Sequence, residues 1–259
     1  MKKLTASILC FSVLNFLAAA LAAPPDAEQL TKAAQEAFLN LDSVKFSQIV
    51  AVDGTPVSTS TAGISFADRL MYLEQKQGPM SVTVYFVNDT LYAKLPGRGW
   101  NILDDPAHPA MQTYKKFFDK RSLATIGNVD YQKSGLALDY NGKEEIQGGL
   151  CHKVSYHIVD KEKFIEAAQD QTTALQEFMP EQDRQMFREH MQMVIDRQDE
   201  EAFYTQWIRE SDNRTAKIEY RMPLPPDNEL GNRIENETYY YDYNEPISID
   251  VPEISSGAE

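Results

Sequence analysis

Hydrophobic positions along this chain keep two different periods. Behind Pro25-Asp26, Leu30, Ala33, Ala34, Ala37, Phe38 and Leu41 recur at helical spacing. The Asp26 carboxylate can cap the free amides there, so the pattern predicts an amphipathic helix ending near Asp42. Beyond it the period falls to two: Val44, Phe46 and Val50; then Ala62, Ile64 and Phe66; then Val82, Val84 and Phe86; then Leu91, Ala93 and Leu95. Each group reads as a strand with one apolar face, and Asp53-Gly54 and Asn88-Asp89 fall between groups as hairpin turns.

Met111, Tyr114, Phe117 and Phe118 suggest a short helix between Pro109 and Arg121, after which strands resume. Leu136 to Tyr140 reads as one strand, Asn141-Gly142 as a turn needing positive φ, Lys143 to Gln147 as the returning strand, and Leu150 to Val159 as a long one. A helical block from Asp160 to Gln198 follows, and Pro180 divides it because proline cannot donate within a helix. Its first half carries Phe164, Ile165, Ala168, Leu175 and Phe178, and its second Met186, Phe187, His190, Met191, Val194 and Ile195, both amphipathic. Phe203 to Arg209, Ala216 to Met222, Ile234 to Tyr243 and Ile247 to Val251 close the chain as strands. The expected fold is α+β: a large antiparallel sheet of about ten or eleven strands, curled into a half-barrel and covered on its concave side by helices.

The first 22 residues depart from this pattern. Lys2-Lys3, the apolar stretch Leu4 to Ala19 and Ala20-Leu21-Ala22 have the form of a cleavable export signal, too short to span a bilayer comfortably and followed at once by Pro24-Pro25. The expectation is a bacterial periplasmic or secreted protein, with no transmembrane segment in its mature chain. Residues 23–254 then form a single domain with a helical insertion at 160–198, and 255–259 a disordered tail. Cys10 leaves with the signal, so Cys151 has no intramolecular partner. The net charge of -14 becomes more negative still without Lys2 and Lys3, which excludes nucleic acid as a partner and favours a monodisperse monomer over adhesion to anionic membranes.

No catalytic motif appears: there is no G-x-S-x-G, phosphate loop or C-x-x-C. With 39 acidic residues, carboxylate pairs such as Glu144-Glu145 or those in Asp199-Glu200-Glu201 read as solvated charge. His152 and His157 face opposite sides of one strand, so they cannot share a metal at about 2 Å. No metal, cofactor or enzymatic activity is expected; a hydrolase using His108 or His190 is the remotest alternative. Tyr239, Tyr240, Tyr241 and Tyr243 alternate across a strand, where cross-strand packing is the usual role.

The open question is what fills the concave side. Apolar stripes at helical spacing ordinarily make a close-packed core. Yet four of the nine methionines lie in the one helical block, and Met repacks readily around varied apolar surfaces. Several segments, in order, carry a resemblance: Val44-Lys45-Phe46-Ser47-Gln48 running into Asp53-Gly54, and Tyr92-Ala93-Lys94-Leu95 followed by Trp100. Later come Glu145-Ile146-Gln147-Gly148-Gly149-Leu150-Cys151-His152, Trp207-Ile208 and Tyr243-Asn244-Glu245-Pro246-Ile247-Ser248-Ile249. Together they resemble LolA-like and LppX-type periplasmic lipid or lipoprotein carriers. The resemblance implies a half-barrel closed by helices around an apolar cavity for acyl chains. This chain departs from it in lacking a lipidated cysteine after the signal and in its longer helical block.

On that basis the chain is expected to bind or carry a lipid or acyl chain. Phe46, Phe66, Val84, Phe86, Tyr156 and Trp207 would line the sheet, and Phe178, Met186, Phe187 and Val194 would form a movable cover. A membrane-associated protein partner is a further expectation. The rival is a non-catalytic interaction module with a filled core that docks a protein partner.

Overall fold

The computed structural model describes residues 25–108, 111, 114–115, 118–120, 133–164, 166–167, 204–224 and 231–251. The expected export signal (1–22), the expected tail (255–259) and most of the expected 160–198 helical block lie outside them. Helix α1 spans Ala27–Leu39, and the Asp26 side chain caps it by accepting from the Glu28 amide at 2.9 Å.

Eleven strands make one sheet: β1 Ser43–Val52, β2 Thr55–Ser65, β3 Leu70–Gln77, β4 Met80–Val87, β5 Thr90–Lys94, β6 Trp100–Leu103, β7 Leu136–Ile146, β8 Gly149–Ile158, β9 Tyr204–Arg209, β10 Thr215–Pro223 and β11 Arg233–Tyr241. Their order is β6-β5-β4-β3-β2-β1-β11-β10-β9-β8-β7, antiparallel throughout. Two meanders, β1–β6 and β7–β11, are thus joined edge to edge by β1 and β11, and the sheet is curved and unclosed, the expected α+β half-barrel. Asp53 clamps the seam: its carboxylate accepts from the Asn232 and Arg233 amides, each at 3.0 Å.

Two turns match the sequence pattern, since Asp53-Gly54 and Asn88-Asp89 both adopt positive φ. Three features do not. Asn141-Gly142 is no hairpin: β7 runs straight through it with a register shift against β8 between Tyr140 and Lys143. A bulge uses the same positive-φ chemistry as a turn, and the reversal comes at Gln147-Gly148. Strands β3 and β6 escape the period-two pattern, because Leu70-Met71-Tyr72-Leu73 is continuously apolar and Trp100–Leu103 has only four residues. Ile247–Val251, expected as a strand, joins no ladder.

That last segment is a strap across the outer face. Asn244 donates its amide to Ser43 O, Ser43 Oγ donates to Glu245 O, and the Ile247 side chain reaches the backbone of Gly63 on β2. A Cβ at Gly63 would stand 2.4 Å from the Tyr72 ring and 3.1 Å from Ile247 Cδ1. Gly63→Val should therefore displace the strap and lower the chemical-denaturation stability by about 1–3 kcal/mol. An unchanged midpoint would show that the strap does not depend on this contact.

Candidate functional site

Because successive strand residues point to opposite sides, the pairing register assigns every in-strand side chain to one face. Phe46, Ala62, Leu73, Val84 and Ala93 pair in a single row, and Val44, Ile64, Met71, Phe86 and Leu91 in the next row on the same side. Helix α1 covers this inner face. Its Ala27, Leu30 and Ala34 pack on Val154, Tyr156 and Ile208, while Phe38 and Leu41 pack at the other end against Phe66 and its neighbours. The Tyr156 hydroxyl donates to Gln206 Oε1 at 3.0 Å and lies 3.3 Å from Thr31 Oγ1, which fixes the helix on β8 and β9.

The expected lining residues divide into three groups. Phe46 is half-buried on the inner face, its ring 5.9 Å from that of Tyr240. Phe66, Val84 and Phe86 share that face but are sealed in a packed cluster with Met111, and Phe118 stacks 5.2 Å from Phe86. Tyr156 is buried beneath α1. Trp207 is on the other side. It pairs with Lys153 and Lys217, whose row continues through Tyr239 and Ser47 on the outer face. It is buried there with Cys151 and Ala216, and its Nε1 donates to Glu144 Oε2 at 3.0 Å. Phe178, Met186, Phe187 and Val194 lie outside the described residues.

One property of the inner face escaped the sequence pattern. In β1–β6 and β8–β11 every charged side chain points outward: Lys45, Glu74, Lys76, Lys94, Lys153, Arg209, Lys217, Glu219, Arg221, Arg233, Glu235 and Glu237. Only β7, beyond its bulge, places Lys143 and Glu145 on the inner side, and Lys143 is paired with Glu210 at 2.6 Å. Burial pushes the Tyr240 phenol up to about 12 and raises Tyr220. Burial, helped by Lys143, lowers His152, which contacts Tyr140 at 3.3 Å. His157 faces outward against Asp139.

The apolar packing is not uniform. Toward the end of β1 remote from α1, Val50, Val82, Ile218 and Tyr220 are only half-buried, and Met80 is half-exposed. The inner face therefore has a sealed end under Phe38, Met111 and Phe118, and a more open, uncharged band beside it.

No family model matches the chain, and no curated protein does. Several solved structures are similar. LprF from Mycobacterium bovis superposes with a TM-score of 0.51 at 15% identity, covering 89% of this chain and 99% of its own. The lipoprotein LppX from Mycobacterium tuberculosis gives 0.47 at 13% identity over 86% and 98%. A LolA superfamily protein from Nitrosomonas europaea gives 0.25 at 11% over 90% and 96%. At these identities the likeness concerns the fold alone. The chain shares the fold of LprF.

Proposed function

We propose that this is an exported, non-enzymatic binding or carrier protein that holds a hydrophobic ligand, a lipid or an acyl chain, against the inner face of its sheet. The observation that carries the reading is the segregation of charge. The seven charge-bearing strands other than β7 turn every charged side chain outward, and β2, β4 and β6 carry none, which an outward solvated face alone does not require of a sheet whose inner side is half-buried in places. The half-open band of Val50, Val82, Ile218 and Tyr220 supports a ligand position beside Phe46. Phe66, Val84 and Phe86 are better suited to anchoring the sheet, because a ligand reaches them only by displacing Met111 and Phe118. The Met-rich 160–198 segment, with Phe178, Met186, Phe187 and Val194, supplies the cover in this proposal.

Native mass spectrometry of the mature protein from its exported compartment, followed by organic extraction, tests it. The expected result is a discrete excess mass that extracts as lipid. Protein that is bare, and stays bare after incubation with lipid vesicles, would overturn the carrier reading in favour of a filled-core interaction module, for which the sealed end under Met111 already provides a precedent. A Val82→Glu substitution should weaken lipid capture at least tenfold while far-ultraviolet circular dichroism stays unchanged, since a carboxylate on this face must either desolvate or exclude the ligand.

A further inference from the structure

Among the described residues, the thioethers of the sheet and its cover differ sharply in how far they are shielded. Met71 and Met111 are sealed in the Phe86 cluster, at 5% and 0% exposure, whereas Met80, the first residue of β4, is 50% exposed. Met80 stands on the inner side, in file with Val82 and Val84, and Val84 belongs to the row that runs through Leu73 and Ala62 to Phe46. Along this file burial falls steadily, from Phe86 and Val84 through half-buried Val82 to Met80. Met80 is thus the last apolar side chain of the file, at the open end of the uncharged band. Its cross-strand partner is Gln77, the turn between them is Gly78-Pro79, and Lys76, the first charged residue back along β3, points outward.

Exposure decides the reactivity of a thioether, because the oxidant must reach the sulfur. With a hydroperoxide, the sulfur lone pair attacks one oxygen and the O–O bond breaks. That oxygen stays on sulfur as the sulfoxide, and the other leaves as hydroxide, which takes up the proton of the first and becomes water. Sulfur loses two electrons and the peroxide gains them. The product replaces a flexible apolar group by a polar one that keeps its water. Half of the Met80 side chain already meets solvent, so the sheet tolerates the change, but an apolar chain lying on Val82 then meets a hydrated S=O group in place of a thioether. We propose, resting on the carrier reading above, that Met80 is an oxidation site for hydrogen peroxide or an organic hydroperoxide, and that its sulfoxide loosens the hold of the inner face on an apolar ligand.

The test treats the full mature chain with hydrogen peroxide. Trypsin places Met71, Met80 and Met111 on separate peptides with one methionine each, so mass spectrometry follows each sulfoxide by itself. In the folded protein Met80 should be oxidised roughly tenfold faster than Met71 and Met111, and in urea the three rates should converge. Equal rates in the folded protein would overturn the site. Capture of lipid from dioleoylphosphatidylcholine vesicles, read by native mass spectrometry, should fall about fivefold after peroxide. Met80→Leu, which keeps volume and hydrophobicity, should capture as the native chain does both before and after treatment. Met80→Gln should reproduce the loss without oxidant. Undiminished capture by the oxidised native chain would overturn the effect on the ligand, and so would an equal loss in Met80→Leu, which would place the damage at another methionine. An untreated chain that captures no lipid would remove the carrier reading and the ligand effect with it, while the peptide rates decide the oxidation site independently.

Discussion

Phe86→Ala should cost about 3–5 kcal/mol of folding stability, the largest single loss expected from a substitution in the sheet. Phe86 is fully buried on β4, between Met71 on β3 and Leu91 on β5, and its outer edge is closed by Phe118 at 5.2 Å and by the equally buried Met111. These neighbours come from three strands and from a segment beyond β6, so the space left by the ring cannot collapse by moving one element. Equilibrium urea denaturation should show a lower midpoint at an unchanged slope, and Phe86→Leu should recover most of the loss. A loss below about 1 kcal/mol would mean that the cluster repacks freely and is not the rigid end of the sheet. The functional corollary separates the two ends of the inner face: Phe86→Leu should retain lipid capture, whereas Val82→Glu should not.

That division was only half legible in the sequence. The period-two groups around Val44, Ile64, Val84 and Leu91 do stand on one face, and the helix over Ala27–Leu39 was evident from its spacing and its Asp26 cap. Period alone, however, assigns a face only where apolar and polar residues alternate. Along β9 the run Thr205-Gln206-Trp207-Ile208 is buried on both sides, so nothing in its hydropathy reveals that Trp207 and Ile208 point in opposite directions. Only the pairing of Trp207 with Lys153 and Lys217 settles it. Strand β6 has four residues, too few to show a period. The Asn141-Gly142 bulge carries the residues of a turn, and what distinguishes the two is the partner strand, which local sequence does not contain.

The polar row that crosses β2, β1 and β11 on the inner face was hidden for a different reason. Gln48 and Thr238 lie 190 residues apart, and these two, Ser60 and Asn236 each by itself look like ordinary polar residues in a strand. They become a unit because β1 is flanked by β2 on one side and β11 on the other, which brings both ends of the domain into one row. The outward run of charge was present in the sequence at Lys45, Glu74, Lys76, Lys153 and Lys217, but its completeness across the sheet is visible only through the register.

The outer face has its own centre, and removing its cation is the second large effect expected. Lys217 is 8% exposed, with its ammonium 2.7 Å from Glu237 and 3.4 Å from Glu219. It lies 4.7 Å from the centroid of Trp207 and 5.2 Å from that of Tyr239. Lys217→Ala removes the stem that covers Trp207 and leaves Glu237 beside a buried ring without its cation, for an expected loss of about 2–3 kcal/mol, at the lower end for broken buried pairs because Glu237 keeps some solvent. Lys217→Met restores the packing but not the charge and should recover part of it. The pH dependence identifies the charged share. Burial alone would depress the Lys217 ammonium, but Glu237 together with Tyr239 and Glu219 outweighs it and raises it above 10.5, so its contribution is complete below 10.5 and is lost as pH rises through the raised value. Burial pushes Glu237 up, but Lys217 and Tyr239 outweigh it and hold it below 4.5, so its contribution is complete above 4.5 and is lost as pH falls through the lowered value. The stability gap between the native chain and Lys217→Met should therefore be flat from about 4.5 to 10.5 and narrow on both sides. A gap that does not change with pH would assign Lys217 to packing alone, with its ammonium contributing nothing to the fold.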